Sequence, residues 1–334
     1  MRRTGKKTYI SGKKRKKLIF KRIRFVFILG VLVCLAWNFN DITAGIWAKI
    51  NIWPQTTQDD ATKGVQESDI TKVDSAVRGL SAEENEKRTA GIKNQLTEYL
   101  KSCKGKYGIY YYNLETMEEF GINQNVEFTA ASTVKVPLNL YLCEKILAEQ
   151  IDPQAKVTYK KADYEEGTGI IQYEEFGKSY TIQELSRLSI VNSDNVATNM
   201  LIRYLGLSAL KQYMRQVGGV VVDEEKNISS PEDMGLYMKK VYELYQSGSE
   251  PGSTLMNNLM TTEFKDRIPA LLPKTVKVAH KIGTQLAVVN DVGIVFAEKP
   301  YIISIMSTDV AEDEAVNVVA NISKKVYDFA NAGM

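Results

Sequence analysis

Apolar residues recur at helical spacing over 81–103, where Ile92, Leu96 and Leu100 share one face, and the next run, Tyr107-Gly108-Ile109-Tyr110-Tyr111-Tyr112, has the composition of a strand. A second strand is expected after the turn at 113–117. Over 132–150 the apolar positions (Val134, Val136, Leu138, Leu140, Leu142, Ile146, Leu147) leave no polar face, which predicts a helix buried all round. Thr181-Ile182-Gln183-Glu184 is a capping box that opens a helix over Ile182–Val191. Further helices are predicted over Asn195–Leu205, closed by Gly206, and over 209–217, closed by Gly218-Gly219. Ser230-Pro231-Glu232-Asp233 supplies an N-cap, a first-turn proline and two acids, so Pro231–Gln246 is helical. Three strands follow, at 276–284, 291–297 and 301–307, and a closing helix over 311–330 carries Val316, Val319, Ile322, Val326 and Phe329. Strands interrupted by a helical block and finished by a helix describe an α+β domain with helices packed on an antiparallel sheet.

The beginning of the chain follows other rules. Twelve Lys or Arg residues and no acid stand between Met1 and Arg24, and an apolar run over 25–37 comes next. Positive charge is retained on the cytoplasmic side, which predicts a basic cytoplasmic segment at 1–24, a transmembrane anchor or uncleaved signal at 25–39, and the rest outside the cell. The run is shorter than the ~20 residues of a full span, and Leu18, Ile19, Phe20 and Ile23 extend it if Lys21, Arg22 and Arg24 snorkel. No small-x-small cleavage site follows Trp37, which favours an anchor, and Val33 before Cys34 is not the small residue of a lipoprotein signal. Residues 40–81 are polar, as in Gln55-Thr56-Thr57-Gln58-Asp59-Asp60, and bury too little to offset ordering entropy, so they are read as a flexible stalk. Residues 82–334 suffice for one sizeable core.

Composition then narrows the chemistry. The chain holds 43 Lys plus Arg against 40 Asp plus Glu, and without the twelve N-terminal cations 31 face 40, so the external part is acidic and no nucleic-acid partner is expected. Three cysteines (Cys34, Cys103, Cys143) and one histidine (His280) supply neither a disulfide framework nor a zinc cluster, and no cofactor is expected. Sequence leaves the pairing of Cys103 with Cys143 open. His280 lies beside a lysine in a predicted strand, where a structural role is the simpler one.

Three stretches carry the candidate chemistry: Ser132-Thr133-Val134-Lys135, Ser193-Asp194-Asn195 and Lys281-Ile282-Gly283-Thr284. Lys135 lies one helical turn after Ser132, so both side chains share a face, and Ser132 at a helix N-terminus meets the positive end of the dipole. A lysine against apolar surroundings loses its proton more easily and can activate the hydroxyl. Ser-x-x-Lys also arises by chance on solvated surfaces, but the neighbours over 128–138 are apolar throughout. Ser193-Asp194-Asn195 falls between two helices, either as a helix cap or as a turn that carries Ser193 and Asn195 into a cleft. Gly283 lets a substrate approach the strand backbone, and Lys281 adds charge.

In this order the stretches spell S-x-x-K, S-D-N and a variant of K-T-G, and the region 106–306 resembles class A β-lactamases and the wider β-lactamase/transpeptidase-like family of penicillin-recognising serine hydrolases. The resemblance implies an antiparallel sheet packed by helices with an inserted helical lobe, and β-lactams or cell-wall peptides as substrates. It makes Ser132 the acylated nucleophile, Lys135 its base or proton relay, Ser193 the proton shuttle to the leaving nitrogen, Asn195 a donor to the substrate amide, and Lys281 the electrostatic partner of Ser193 and of a substrate carboxylate. The backbone N–H groups of Ser132 and Thr284, beside Gly283, would form the oxyanion hole.

Two departures alter that expectation. The family carries a long loop with a glutamate and an asparagine that position the hydrolytic water, whereas only residues 220–229 separate Gly219 from Ser230 here, with no E-x-x-L-N. Asp223, Glu224 and Glu225 are candidates to stand in for that glutamate, although the stretch reads more simply as an acidic surface turn. Ile282 stands where the family has Thr or Ser, which leaves Thr284, with Arg267 as a further candidate, to bind the carboxylate. Acylation keeps its groups while deacylation loses a general base worth ~10²–10⁴-fold, so the expected enzyme acylates on Ser132 and turns over β-lactams slowly. The alternatives are a D-Ala-D-Ala carboxypeptidase-like cell-wall enzyme and a non-catalytic relative that binds cell-wall peptide. Retention of Ser132 and both lysines favours an enzyme.

Overall fold

The computed structural model describes residues 82–332; the basic segment, the predicted anchor and the predicted stalk lie outside them. No helix among the described residues is long and apolar enough to cross a membrane. Helix α1 (Ala82–Leu100) leads into strands β1 (Lys106–Asn113) and β2 (Glu119–Ile122), then a short β3 (Phe128–Thr129), a 3-10 turn (Ala131–Val134) and helix α2 (Lys135–Leu147). The central block holds β4 (Lys156–Thr158), β5 (Ser179–Thr181), α3 (Ile182–Val191), α4 (Asn195–Leu205), α5 (Leu207–Gln216), β6 (Ile228–Ser229), α6 (Pro231–Gln246) and α7 (Glu250–Met260). Strands β7 (Lys277–Gln285), β8 (Val288–Phe296) and β9 (Tyr301–Thr308) and helix α8 (Glu312–Ala330) finish the chain.

The main sheet runs β2-β1-β9-β8-β7, antiparallel throughout, with β2 and β7 as its outer strands. Successive side chains of a strand point to opposite faces. Val289, Val295, Ile303 and Ile305 therefore pack with Leu96 of α1 and Val319, Ile322 and Val326 of α8. Val292, Ile294, Ile302 and Met306 face a second core with Leu138, Leu185, Met200, Met234 and Leu255 of the helical lobe. The fold is the expected α+β sandwich of helices around an antiparallel sheet.

Several elements differ from the sequence reading. The helix expected from Ser132 begins at Lys135, because Ala131 adopts φ 48° and the next residues wind as a 3-10 turn. Its all-round burial holds only as far as Cys143, and Leu147 is exposed. Helix α7 was not anticipated, and β8 starts at Val288 because a tight hairpin pairs it with Gln285. Cys103 and Cys143 are free thiols; Cys103 is partly exposed, while burial pushes the Cys143 thiol up to about 12. His280 is fully buried, with Nδ1 2.9 Å from Asp291 Oδ1, a structural pairing within the sheet.

Candidate active site

The turn that carries Ser132 is held from several sides. Thr133 Oγ1 donates to Ala130 O (2.7 Å), Asn290 Nδ2 of β8 donates to Thr129 O (2.8 Å), and Asn227 Nδ2 donates to Ala131 O (3.0 Å). Strand β7 presses on the same segment at Gly283, where a Cβ would sit 2.8 Å from Ala130 O and 3.2 Å from Ala131 Cβ, so only glycine permits this approach. Ser132 is left half-buried at the edge of a cleft.

The second motif does two jobs with adjacent residues. Asp194, fully buried, caps α4 by accepting Ala197 N at Oδ1 (2.8 Å) and accepts Ile170 N (2.7 Å) and Ile171 N (2.9 Å) at Oδ2. It thereby fastens the loop over 164–173 to the start of α4. Gly169 has φ 108°, and a Cβ there would lie 2.3 Å from Asp194 Cγ. Ser193, with φ 52°, and Asn195 flank this cap and both line the cleft. The capping and cleft readings of the motif hold together.

Two buried lysines meet on Ser193. Lys281 Nζ donates to Ser193 Oγ (2.9 Å) and Ile282 O (2.9 Å), while Lys135 Nζ donates to Ser193 O (2.7 Å), Asn195 Oδ1 (2.8 Å) and, more weakly, Ser193 Oγ (3.3 Å). A hydroxyl offers two acceptor lone pairs and one proton. With both lone pairs approached by lysine Nζ atoms, the Ser193 hydroxyl keeps its own proton free to donate. Burial pulls the Lys135 pKa down to about 8, against the opposing charges of Asp194 and Glu165. Burial and the Lys135 charge hold Lys281 well below the usual lysine range.

Ser132 and Lys135 face one cleft, as their spacing predicts, but no hydrogen bond joins them. Lys135 Nζ is turned to the Ser193 and Asn195 oxygens because a buried ammonium with three donors is better satisfied by carbonyl and amide oxygens than by one hydroxyl. A hydrogen bond between nucleophile and base is commonly long without substrate and tightens in the reacting complex.

At the other side of Ser132, Thr284 is supported from behind. Arg267, 2% exposed, donates Nη2 to Thr284 Oγ1 (2.6 Å) and Nη1 to Asn290 O (2.8 Å). Thr284 thus keeps its own proton free to donate, with a buried positive charge next to it. Ile282 contributes only apolar lining.

Ser132, Lys135, Ser193, Asn195 and Thr284 line one open cleft of about 590 Å³, with Lys281 and Gly283 directly beneath it. The short loop behaves as the acidic surface turn expected: Asp223 Oδ1 accepts Glu225 N and Lys226 N, and Glu224 pairs with Arg215 at 2.6 Å. Its end reaches the cleft at Glu225, Lys226 and Asn227. Sequence reading passed over Thr168, whose Oγ1 donates to Ser193 O (2.6 Å), and Asn227; the glycines flanking Thr168 were the available signal. Among the described residues no group of three or more His, Cys, Asp or Glu stands close enough to hold a metal ion.

Comparison with known proteins adds an independent line. The family described as Beta-lactamase enzyme family matches residues 91–330. The extended-spectrum β-lactamase PER-1 of Pseudomonas aeruginosa is 26% identical over 270 residues, 71% of this chain and 87% of its own length. The β-lactamase ROB-1 of Haemophilus influenzae is 25% identical over 260 residues, 71% of this chain and 84% of its own. Among solved structures, PBP-A aligns with a TM-score of 0.67 at 24% identity over 71% of this chain and 95% of that one. A PBP-A mutant in an acyl-enzyme complex with penicillin G aligns with a TM-score of 0.67 at 25% identity, over 72% of this chain and 96% of that one.

Proposed function

The chain belongs to the β-lactamase enzyme family, and from that premise we propose that it acylates itself on Ser132 with β-lactams, releases the product slowly, and works outside the cell on an N-terminal membrane anchor. The reading rests above all on the Ser193 hydroxyl, which bridges two buried lysines within the cleft that Ser132 borders. A neutral Lys135 takes the Ser132 proton as Oγ attacks the lactam carbonyl. The backbone N–H groups of Ser132 and Thr284 stabilise the oxyanion. As the tetrahedral adduct collapses and the C–N bond breaks, Ser193 gives its proton to the nitrogen and takes in its place the proton that Lys135 received from Ser132, Lys135 Nζ lying 3.3 Å from Ser193 Oγ, while Lys281 stabilises that oxygen during the transfer. The substrate carboxylate lies against Thr284, backed by Arg267.

Release of the acyl group needs a water and a base to activate it. Asp223 and Glu224 are occupied on the surface, and residues 220–229 lack the E-x-x-L-N of the family's longer loop, so Glu225, which does reach the cleft, stands without that setting. After brief exposure to penicillin G, intact-mass spectrometry is expected to find a Ser132 adduct that persists for minutes. Unmodified protein and ring-opened product within seconds would refute slow release. That a PBP-A mutant was solved with penicillin G attached supports the acylation half of this reading.

A slow hydrolase with an open cleft also suits peptides ending in D-alanyl-D-alanine, whose scissile amide is presented in the same way. The anchor reading is supported by the order of charge and apolar residues over 1–37. Fractionation of cells producing the full chain is expected to leave it in the membrane, with the C-terminal domain open to external protease; recovery from the soluble cytosol would overturn that reading.

A further inference from the structure

The cleft extends past Ser132 and Asn195 to an end that the mechanism above does not use, walled by Ile202, Leu207 and Leu210 and floored by Lys211. Lys211 is 3% exposed, and its ammonium donates to one oxygen, Lys226 O at 2.9 Å. An ammonium has three donors. A buried charge left so poorly paired is costly, and burial accordingly holds the Lys211 pKa below its ordinary value. The acids whose charge reaches it are held elsewhere, Asp223 by two backbone N–H groups and Glu224 by Arg215, and although Glu166 and Glu225 also line the cleft, neither bonds Lys211. Lys211 forms no ion pair among the described residues. On the 164–173 loop, Glu165 is held by Asn199 and acts on Lys135 instead.

We propose that this end of the cleft is a subsite for the acyl part of the substrate, in which Lys211 binds a carboxylate carried on a short aliphatic spacer that lies against Ile202, Leu207 and Leu210. The inference rests on acylation at Ser132. It deepens that reading by naming the substrate class: a dianion with one carboxylate on the leaving side, against Thr284 and Arg267, and one on the acyl side, against Lys211. Helix α5, which carries Lys211, packs on α2 and α4, whereas Thr284 belongs to β7, so the two cations serve different walls of the cleft. A peptide whose acyl portion bears an acidic side chain or a free carboxylate has this form.

The test compares two penicillins made from 6-aminopenicillanic acid, one acylated with adipic acid and one with its monomethyl ester. Second-order rate constants for adduct formation on Ser132 are read by intact-mass spectrometry on the full chain. Wild type is expected to prefer the free acid about tenfold, as a charge-assisted contact implies, and to lose that preference as salt is raised. The preference is expected to fall to about one in Lys211→Met, and in Lys211→Gln should the first variant fold poorly. A ratio near one in wild type, or an equal preference in wild type and either variant, overturns the subsite while leaving Ser132 acylation standing. Failure of both penicillins to acylate wild type overturns the Ser132 reading and the subsite with it.

Discussion

Replacing Ser132 by alanine is expected to abolish covalent capture of a fluorescent penicillin, lowering the acylation rate by at least about 10⁴-fold, in keeping with the loss of a nucleophile elsewhere. The fold should survive, because Ser132 is only half-buried and its turn is held by Thr133, Asn227 and Asn290 rather than by its own hydroxyl. Circular dichroism and thermal melting of the variant check that point. Equal labelling of wild type and Ser132→Ala would place the nucleophile elsewhere, and absence of labelling in the wild type would favour the reading of a cleft that binds without reacting.

Lys135→Ala is the second large effect, an expected loss of about 10²–10⁴-fold in acylation with Ser132 still present. Its pH dependence separates a base from a mere contact. With a pKa lowered to about 8, the neutral amine that accepts the Ser132 proton grows roughly tenfold per pH unit below that value and saturates above it. Wild-type acylation should therefore rise from pH 6 to about pH 8 and then level. The variant should lose that rise along with its rate. A wild-type rate that falls between pH 6 and 8 would rule Lys135 out as the base. Lys281, pressed on the same hydroxyl, cannot substitute, because its Nζ is directed to Ser193 Oγ and Ile282 O.

What the sequence disclosed and what it concealed divide along a physical line. Thr181 with Glu184, and Ser230 with Pro231, act within one turn of themselves, and the helices they open begin where those residues say they should. The small strands β3 with β6 and β4 with β5 exist only through partners far along the chain, so no local run announces them. Helix α7 carries Gly252 in its first turn, a weak helix former. The structure explains it: a Cβ there would lie 2.5 Å from Leu244 O of α6, so close packing of the two helices requires the glycine.

The site divides similarly. Residue types at fixed offsets marked Ser132, Lys135, Ser193, Asn195 and Lys281 as chemical partners, and the fold does bring them to one cleft. The direction in which Lys135 points depends on oxygens offered 58 residues later by the Ser193 turn, which helical periodicity alone does not encode. Arg267 behind Thr284 and Lys211 beneath the short loop are likewise tertiary facts, each a buried cation whose meaning comes from what surrounds it.

Strand β7 closes one border of the main sheet, and the residues lining the cleft include Ile282, Thr284 and Gln285 from it. A border strand presents backbone groups that any extended chain can match. A substrate lying along it would in effect be a temporary sixth strand, next to the 3-10 turn that packs on β7 at Gly283. The wall that reads the ligand is therefore also the place where the sheet would otherwise grow by adding a stranger's backbone.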